Sequence, residues 1–364
     1  MSVNRAPQRL QSLDALRGAD LFWIVGGHAL VAGLASATGS PTLEWIEAQC
    51  HHVPWHGFKF YDLIFPLFLF LAGVSLPLSI TARQKRGQKR SEIRRHALIR
   101  ATVLVALGVA YNTLGTGDRE VRYASVLGRI GLGWLGAALL VIEVSPRAQW
   151  RWFFGLLGGY ACLLLVVPAP GMQEVSLAQG ETIVDWFDRT FLPGRLHRGT
   201  GDPEGLLSTL PSVATALAGV FAGRWLTSRG PGPALRLTVL VLAGLLALGI
   251  GHWLDPYLPI NKNLWTPTFV FWCAGWSLLL LALFHALIDL PGARYWHMPL
   301  VVLGANSILI YLLTRWVDFE GLFVNVLGWA LPDSPPSWAL AAGALALEVI
   351  LLGFLYSRRA FLRV

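Results

Sequence analysis

The sequence predicts an all-α polytopic membrane protein with about ten transmembrane helices in one bundle and both termini in the cytoplasm. Two observations predict this class. Of the 364 residues, 54% are hydrophobic and only 14% are charged, whereas soluble domains carry ~25% charged residues. The mean hydropathy is +0.54. A soluble enzyme and a disordered chain are therefore excluded, and three cysteines cannot build a disulfide scaffold.

Ten apolar stretches approach the ~20 residues that a helix needs to cross a bilayer. They are 17–38, 60–81, 98–116, 123–142, 152–169, 206–226, 234–254, 265–288, 299–316 and 338–357. Gly219 and Gly223 form a GxxxG motif in the sixth stretch, which permits close helix packing and a homodimer.

The polar first 16 residues lack an apolar run with a cleavage site, so we expect no signal peptide. The predicted organisation is a cytoplasmic segment 1–16, a transmembrane bundle 17–357 with outer loops 39–59 and 169–205, and a cytoplasmic tail 358–364.

The distribution of Lys and Arg predicts the orientation. With the N-terminus inside, 20 of the 29 basic residues fall on the inner side and 8 on the outer side, as the positive-inside rule requires. The basic run TARQKRGQKRSEIRRH (81–96) is then a loop that meets anionic lipid headgroups. No nucleic-acid motif accompanies it, so we expect membrane lipid and no nucleic acid as a partner.

Ionisable residues inside apolar stretches indicate function or internal pairing. No residue of opposite charge lies at helical spacing from His28 in the sequence, so His28 either lines a cavity or is satisfied in the core. Glu348 and Arg129 lie in different stretches, and they either form an interhelical pair or belong to a site.

The segment CHHVPWHGFKFYDLIFP (50–66) concentrates groups that titrate near neutrality. It contains His51, His52 and His56 beside Trp55, Lys59 and Asp62. A metal site is disfavoured, because two of the histidines are adjacent and no Cys or carboxylate has zinc-ligand spacing. Cys50 as a nucleophile has little support from sequence proximity alone.

Two further segments place polar residues at predicted span entrances. Asp202 and Glu204 precede the sixth stretch, where they either start the helix or bind sugar hydroxyls or an ammonium group. Asn261, Lys262 and Asn263 begin the eighth stretch, and helix capping explains only one of the three.

These residues lie in motifs that resemble the heparan-α-glucosaminide N-acetyltransferase family of transmembrane acetyltransferases, including bacterial glucosamine N-acetyltransferases. The similarity extends from SLDALRG (12–18) to NSILIY (306–311). It includes WHGFKFYDLIFPLFLFLAGVSL (55–76), RYASVLGRI (122–130), DPEGLLST (202–209) and PINKNLW (259–265).

The resemblance implies a multi-pass protein of the bacterial inner membrane. It would move acetyl from cytoplasmic acetyl-CoA, a co-substrate, to the amino group of glucosamine or a related amino sugar outside. The family's essential histidine corresponds to His52, and its aspartate to Asp62. The residues expected to contact the acceptor are Trp55, Asp202, Glu204, Asn261, Lys262, Asn263, Asn306 and Ser307.

Two positions depart from the family pattern. His28 stands where the family has an asparagine, and Thr314-Arg315 where members often have a histidine. The exact acceptor and the proton path are therefore left open.

The expected mechanism has His52 as general base toward the amine, Asp62 steadying the histidine and His28 orienting the thioester. In the alternative, His52 itself becomes acetylated. Direct transfer is favoured, because an acetyl-imidazole beside water is prone to hydrolysis. The residues expected to hold the CoA phosphates are Arg17, Arg83, Lys85 and, deeper, Arg129; no metal is expected.

Two other functions are compatible with this sequence. Intramembrane His and Glu residues can relay protons in a sugar transporter, although no inverted repeat is evident. An O-acyltransferase acting on a surface polysaccharide would use the same histidine chemistry on a hydroxyl group.

Overall fold

A computed structural model describes residues 10–114, 120–228, 230–290 and 295–362. Most of the predicted 1–16 segment and the end of the 358–364 tail lie outside these ranges. So do six arginines of the charge count, which are Arg5, Arg9, Arg119, Arg229, Arg294 and Arg363. The described ranges contain helices and no β-strand, apart from an isolated bridge between Arg122 and Gly194.

The described chain contains fifteen α-helices. They are α1 Gln11–Phe22, α2 His28–Thr38, α3 Pro41–Gln49, α4 Ile64–Lys85, α5 Arg90–Thr113, α6 Val126–Glu143, α7 Pro146–Val166, α8 Ile183–Phe191, α9 Thr209–Leu226, α10 Pro233–Leu254, α11 Pro267–Phe284, α12 Met298–Ala305, α13 Ser307–Trp316, α14 Phe319–Leu327 and α15 Ser337–Ser357. The predicted outer loops 39–59 and 169–205 thus contain helices α3 and α8.

Each of the ten predicted stretches falls on a helix or on a pair of helices. Six helical segments of the described chain are long and apolar enough to cross a bilayer. They are Gln11–Thr38, Phe60–Lys85, Val126–Glu143, Pro233–Leu254, Pro267–Asp289 and Ser337–Ser357. A pair bent by 65°, Tyr295–Ala305 with Ser307–Trp316, makes a seventh if it is one span. The count of ten and the cytoplasmic termini stay predictions.

The described residues cluster into two compact units, whereas the sequence predicts one bundle. The first unit contains the residues up to Cys50 and those from Leu280 onward, and the second contains His51–Leu279. Helices α1 to α3 and α12 to α15 therefore belong to the first unit. Helices α4 to α10 and most of α11 belong to the second.

In the second unit, α4 and α9 approach so closely that glycine is needed at the contact. A Cβ added to Gly219 or Gly223 would collide with the backbone of Phe70 or Val74 on α4. The predicted use of this GxxxG face for a homodimer is therefore wrong, because a helix of the same chain covers it. A homodimer through another face stays a prediction.

In the first unit, α1 and α12 cross at a similar glycine contact. A Cβ on Gly18 would collide with the carbonyl of Leu300, and one on Gly304 with the carbonyl of Asp14. A π-helical turn, Trp23–Gly27, separates α1 from α2. Such turns redirect the side chains that follow them, and His28 comes immediately after this one.

Candidate active site

The loop 51–62, called the histidine loop below, places one histidine against a buried carboxylate. His52 Nδ1 lies 2.7 Å from Asp62 Oδ1; the Asp62 side chain is 1% exposed and that of His52 49%. Asp62 Oδ2 accepts hydrogen bonds from the backbone amides of Lys59 at 3.1 Å and Val53 at 3.4 Å. Because Nδ1 faces a carboxylate, it is assigned the ring proton, and Nε2 keeps its lone pair.

Lys262 approaches the same histidine from a part of the chain that is remote in sequence. Its Nζ lies 3.0 Å from His52 Nδ1 and 3.1 Å from Nε2, and 3.5 Å from Asp62 Oδ1. Burial lowers the pKa of Lys262 below the usual lysine value, although Asp62 and Glu204 counteract this. Lys262 is therefore within hydrogen-bond reach of the imidazole and close to the carboxylate.

The turn 259–266, called the lysine turn below, is held rigidly against the histidine loop. The Gly57 amide donates to the Ile260 carbonyl at 2.8 Å. The buried Asn261 accepts from the Leu264 amide at 2.9 Å through Oδ1, and its Nδ2 lies 3.3 Å from His56 Nδ1. Asn261 is thus used to fix the turn. Asn263 is also buried in it.

The end of the lysine turn is anchored by a tryptophan in an unusual backbone conformation. Trp265 has φ 51°, a left-handed value that costs energy for a bulky residue. Its ring is 1% exposed, contacts the rings of Phe65 and Phe269 with centroids at 4.9 and 5.2 Å, and donates through Nε1 to Thr215 at 3.1 Å. This packing holds Lys262 in place.

Asp202 and Glu204 form an ion-pair network with an arginine that follows α5. Arg122 donates to both oxygens of Asp202, at 2.9 and 2.8 Å, and to Glu204. Burial raises the pKa of Asp202, but the hydrogen bonds and charge of Arg122 outweigh burial and leave it below the usual value. The helix-start alternative is wrong, because α9 begins only at Thr209 with Ser208 as its N-cap residue.

Arg129 and Asp188 are buried beside this network with unused hydrogen-bonding groups. Arg129 donates to Gly205 O at 3.2 Å and to Ser208 Oγ, and these partners replace the predicted Glu348. Its Nε and Nη1, and Oδ2 of Asp188, have no hydrogen-bond partner among the described residues. Burial raises the pKa of Asp188 to about 6, although Arg129 counteracts this.

Trp55 lies where the segment 167–208, which connects α7 to α9 and contains α8, contacts the histidine loop. Its Nε1 donates to Leu177 O at 2.8 Å, and the Arg198 guanidinium lies 5.6 Å from the ring centroid. Arg198 also donates to Pro54 O at 3.2 Å. An indole fixed in this way offers a face suited to stacking on a sugar ring.

Four predicted site residues belong to the first unit instead. His28 is exposed, with Nδ1 3.0 Å from Trp23 O, and Arg17 pairs with Asp14 at 3.3 Å. Asn306 uses both ends of its amide on the chain's last described segment. Nδ2 donates to Ala360 O, and Oδ1 accepts from Leu362 N, each at 3.0 Å. Ser307 is the first residue of α13.

Arg83 and Lys85 lie in the last turn of α4, remote from His52. The 21 residues from Asp62 to Arg83 span about 30 Å of helix. Lys85 is exposed, whereas Arg83 contacts Gln88 and His96.

The described ranges contain no group of three His, Cys, Asp or Glu side chains placed to hold a metal ion. Burial, with a contribution from Glu47, raises the pKa of the Cys50 thiol, which disfavours the reactive thiolate.

Sequence reasoning missed two charged residues of the site. Arg122 is the first residue of the family motif RYASVLGRI, and its place in that motif could have identified it. Asp188 is one of several charged residues between α7 and α9, and no neighbouring sequence feature distinguishes it from the others.

Comparisons with known proteins identify a family and relatives of this chain. A family model described as heparan-alpha-glucosaminide N-acetyltransferase, catalytic, matches residues 9–253, which include His52, Asp62, Arg122, Asp202 and Glu204. The heparan-alpha-glucosaminide N-acetyltransferases of Homo sapiens and Mus musculus are each 24% identical to the chain. The alignments cover all of this chain and 61% and 63% of those proteins, respectively.

The chain thus spans about three fifths of the length of these curated relatives. The family match covers most of the chain and contains the His52–Asp62 pair. The chain belongs to the heparan-alpha-glucosaminide N-acetyltransferase family.

Proposed function

We propose that this protein is a transmembrane acetyltransferase that moves the acetyl group of acetyl-CoA to the amino group of glucosamine or a related amino sugar. The observation that carries the proposal is the His52–Asp62 pair, 2.7 Å apart, in a chain of this family. In its bacterial setting the acceptor would be outside the cytoplasmic membrane and the donor inside.

The pair suits proton transfer from an amine. A glucosamine amine attacks the thioester carbonyl as it forms the N–C bond, and it must lose a proton when the C–S bond breaks. His52 Nε2 accepts that proton and returns it to the leaving sulfur, while Asp62 stabilises the imidazolium through Nδ1. The nearby Lys262 ammonium offers positive charge to the oxyanion that develops on the carbonyl.

The outer acidic and aromatic groups suit the acceptor. Trp55 offers an aromatic face, and Glu204 is held by Arg122 at the same side of the second unit. Asp202, Asn261 and Asn263 act as the frame for these groups, since the contacts of Asp202 and Asn261 are to the protein itself. His28, Asn306 and Ser307 remain predicted contributions of the first unit.

Positive side chains are proposed to hold the CoA phosphates. Arg17, Arg83 and Lys85 would act from the predicted cytoplasmic side, and Arg129 is buried deeper. Guanidinium groups match phosphate oxygens with paired donors, which supports the assignment.

The test is turnover by the purified full chain with acetyl-CoA and glucosamine, measured as free CoA thiol and N-acetylglucosamine. We expect His52→Ala and Asp62→Asn to lower kcat about 100-fold or more, with His51→Ala as the neighbouring control. Lys262→Gln should also lower kcat, since the positive charge proposed to face the developing oxyanion is lost.

Several outcomes contradict the proposal. Turnover of hydroxyl acceptors alone indicates an O-acyltransferase, and sugar accumulation in vesicles without acetyl transfer indicates a transporter. Rapid quenching separates the two acetylation routes: direct transfer leaves no acetyl group on the protein, whereas the alternative leaves one on His52.

A further inference from the structure

A small basic pocket lies between α4, α5 and α6, at the end of α4 remote from the histidine loop. It encloses about 70 Å³, whereas a single water needs roughly 10–15 Å³, so a group of several heavy atoms fits. Its polar lining consists of Ser79, Arg83, His96 and Arg100, and none of its lining side chains is a carboxylate. Trp134 and aliphatic side chains form the remaining wall.

The cations of this pocket are held in fixed positions. Arg83 Nη2 lies 2.6 Å from His96 Nε2, and because a guanidinium only donates, His96 accepts there and is neutral. Arg83 Nη1 donates to Gln88 at 3.2 Å. The Arg100 guanidinium lies 4.3 Å from the centre of the Trp134 ring, which orients its plane.

The lining of this pocket is basic. Two guanidinium groups line it together with a neutral imidazole, no carboxylate is among the lining side chains, and like charges repel more strongly where water is scarce. Burial, together with Arg83 and Arg100, lowers the pKa of His96. An anion with several acceptor oxygens would relieve the repulsion and accept from both arginines.

We propose that Arg83, His96 and Arg100 form a binding site for a phosphate group. Arginine pairs match phosphate geometry, and basic pockets between membrane helices bind lipid headgroups on the cytoplasmic side. The phosphate comes either from an anionic lipid or from the nucleotide end of CoA. The second source rests on the proposed function, and the first does not.

The test uses the purified full chain in phosphatidylcholine nanodiscs. One arm measures the affinity for 3′,5′-ADP, a phosphate-bearing nucleotide probe, by calorimetry. The other arm adds phosphatidylglycerol and counts retained lipid by native mass spectrometry. We expect an Arg83→Gln/Arg100→Gln variant to lose at least tenfold in affinity for 3′,5′-ADP or to lose the retained lipid.

The matched control is Arg94→Gln/Arg95→Gln. It removes two exposed charges from α5, the helix that carries Arg100, and should change neither measurement. An Arg83→Lys/Arg100→Lys variant keeps the charge without the paired donors and should also weaken binding, which covers failure of the glutamine variant to fold. If neither probe distinguishes wild type from the pocket variants, the site is wrong. Acetyl transfer by wild type, measured separately, shows whether the proposed function stands.

Discussion

In the proposed mechanism, the half-exposed His52 takes the proton from the amine, and the buried Asp62 stabilises the charged ring. Two backbone amides hold Asp62 in place. Its carboxylate therefore does not need to reorient when the imidazole becomes charged. Nε2 of His52 has the lone pair that would take the proton, and Lys262 Nζ lies 3.1 Å from it. The sequence identified both residues through the family motif, because they lie ten positions apart in one segment.

Other contacts of the site could not be predicted from the sequence. Lys262 meets His52 across 210 residues, and Arg122 meets Asp202 across 80. Local patterns report neighbours along a helix or strand, whereas these pairings depend on how helices pack. The sequence therefore identified polar residues in or beside apolar stretches, but it did not identify the residues that they contact.

Asp188 predicts a pH dependence of stability. Its pKa is raised to about 6 from a usual 3.8, so the folded state binds this proton more tightly than the unfolded state. The resulting stabilisation is complete below about pH 4 and is lost as the pH rises through 6, up to about 3 kcal/mol. Asp188→Asn removes this contribution.

The melting temperatures of wild type and Asp188→Asn should be compared between pH 4 and 7 in detergent. We expect wild type to lose stability relative to the variant as the pH rises. Parallel melting curves across this range would show that Asp188 does not titrate in the folded protein.

At the scale of helices, each apolar stretch found by hydropathy falls on a helix or a helix pair, and six helical segments of the described chain have the length and apolar character that a bilayer requires. Hydropathy did not locate the 65° bend at Asn306, since a single polar residue inside an apolar stretch does not specify a break. The contact between α4 and α9 is also a matter of tertiary packing, and it gave the GxxxG motif a role different from the one predicted.

This contact predicts contrasting effects of two glycine substitutions. Gly219→Ala forces a Cβ into the backbone of Phe70 and should cost about 1–3 kcal/mol through overpacking. Gly155→Ala on α7 is the control, because a Cβ there meets nothing within 4 Å. Thermal unfolding in detergent should show a lower melting temperature for the first variant alone. Equal melting temperatures would contradict the close approach of α4 and α9.

At the scale of the whole molecule, the chemistry assembled in the second unit comes from four separate parts of the chain. The histidine loop, the residues that follow α5, the segment before α9 and the lysine turn all contribute. The family motifs mark each of these parts, which is why the sequence pointed to most of the residues that meet there, although not to their geometry.

The orientation of the chain predicts opposite labelling of its two sides. Gln179 is exposed in the predicted outer connection and Gln84 in the predicted inner one. In spheroplasts of cells that express the protein, Gln179→Cys should react with a membrane-impermeant maleimide. Gln84→Cys should react only after permeabilisation, and a background with the three native cysteines replaced by serine removes other signals. The reverse pattern would place the N-terminus outside.

The hydrogen bonds of Asn306 with the backbone of Ala360 and Leu362 have a mechanical consequence. Asn306, whose side-chain amide binds the backbone at the end of the described chain, is also the residue at which α12 and α13 bend. A force applied at this end is therefore transmitted directly to the hinge of a broken helix pair. A folded domain fused close behind Leu362 would transmit force to that bend, whereas a domain attached through a long flexible linker would not.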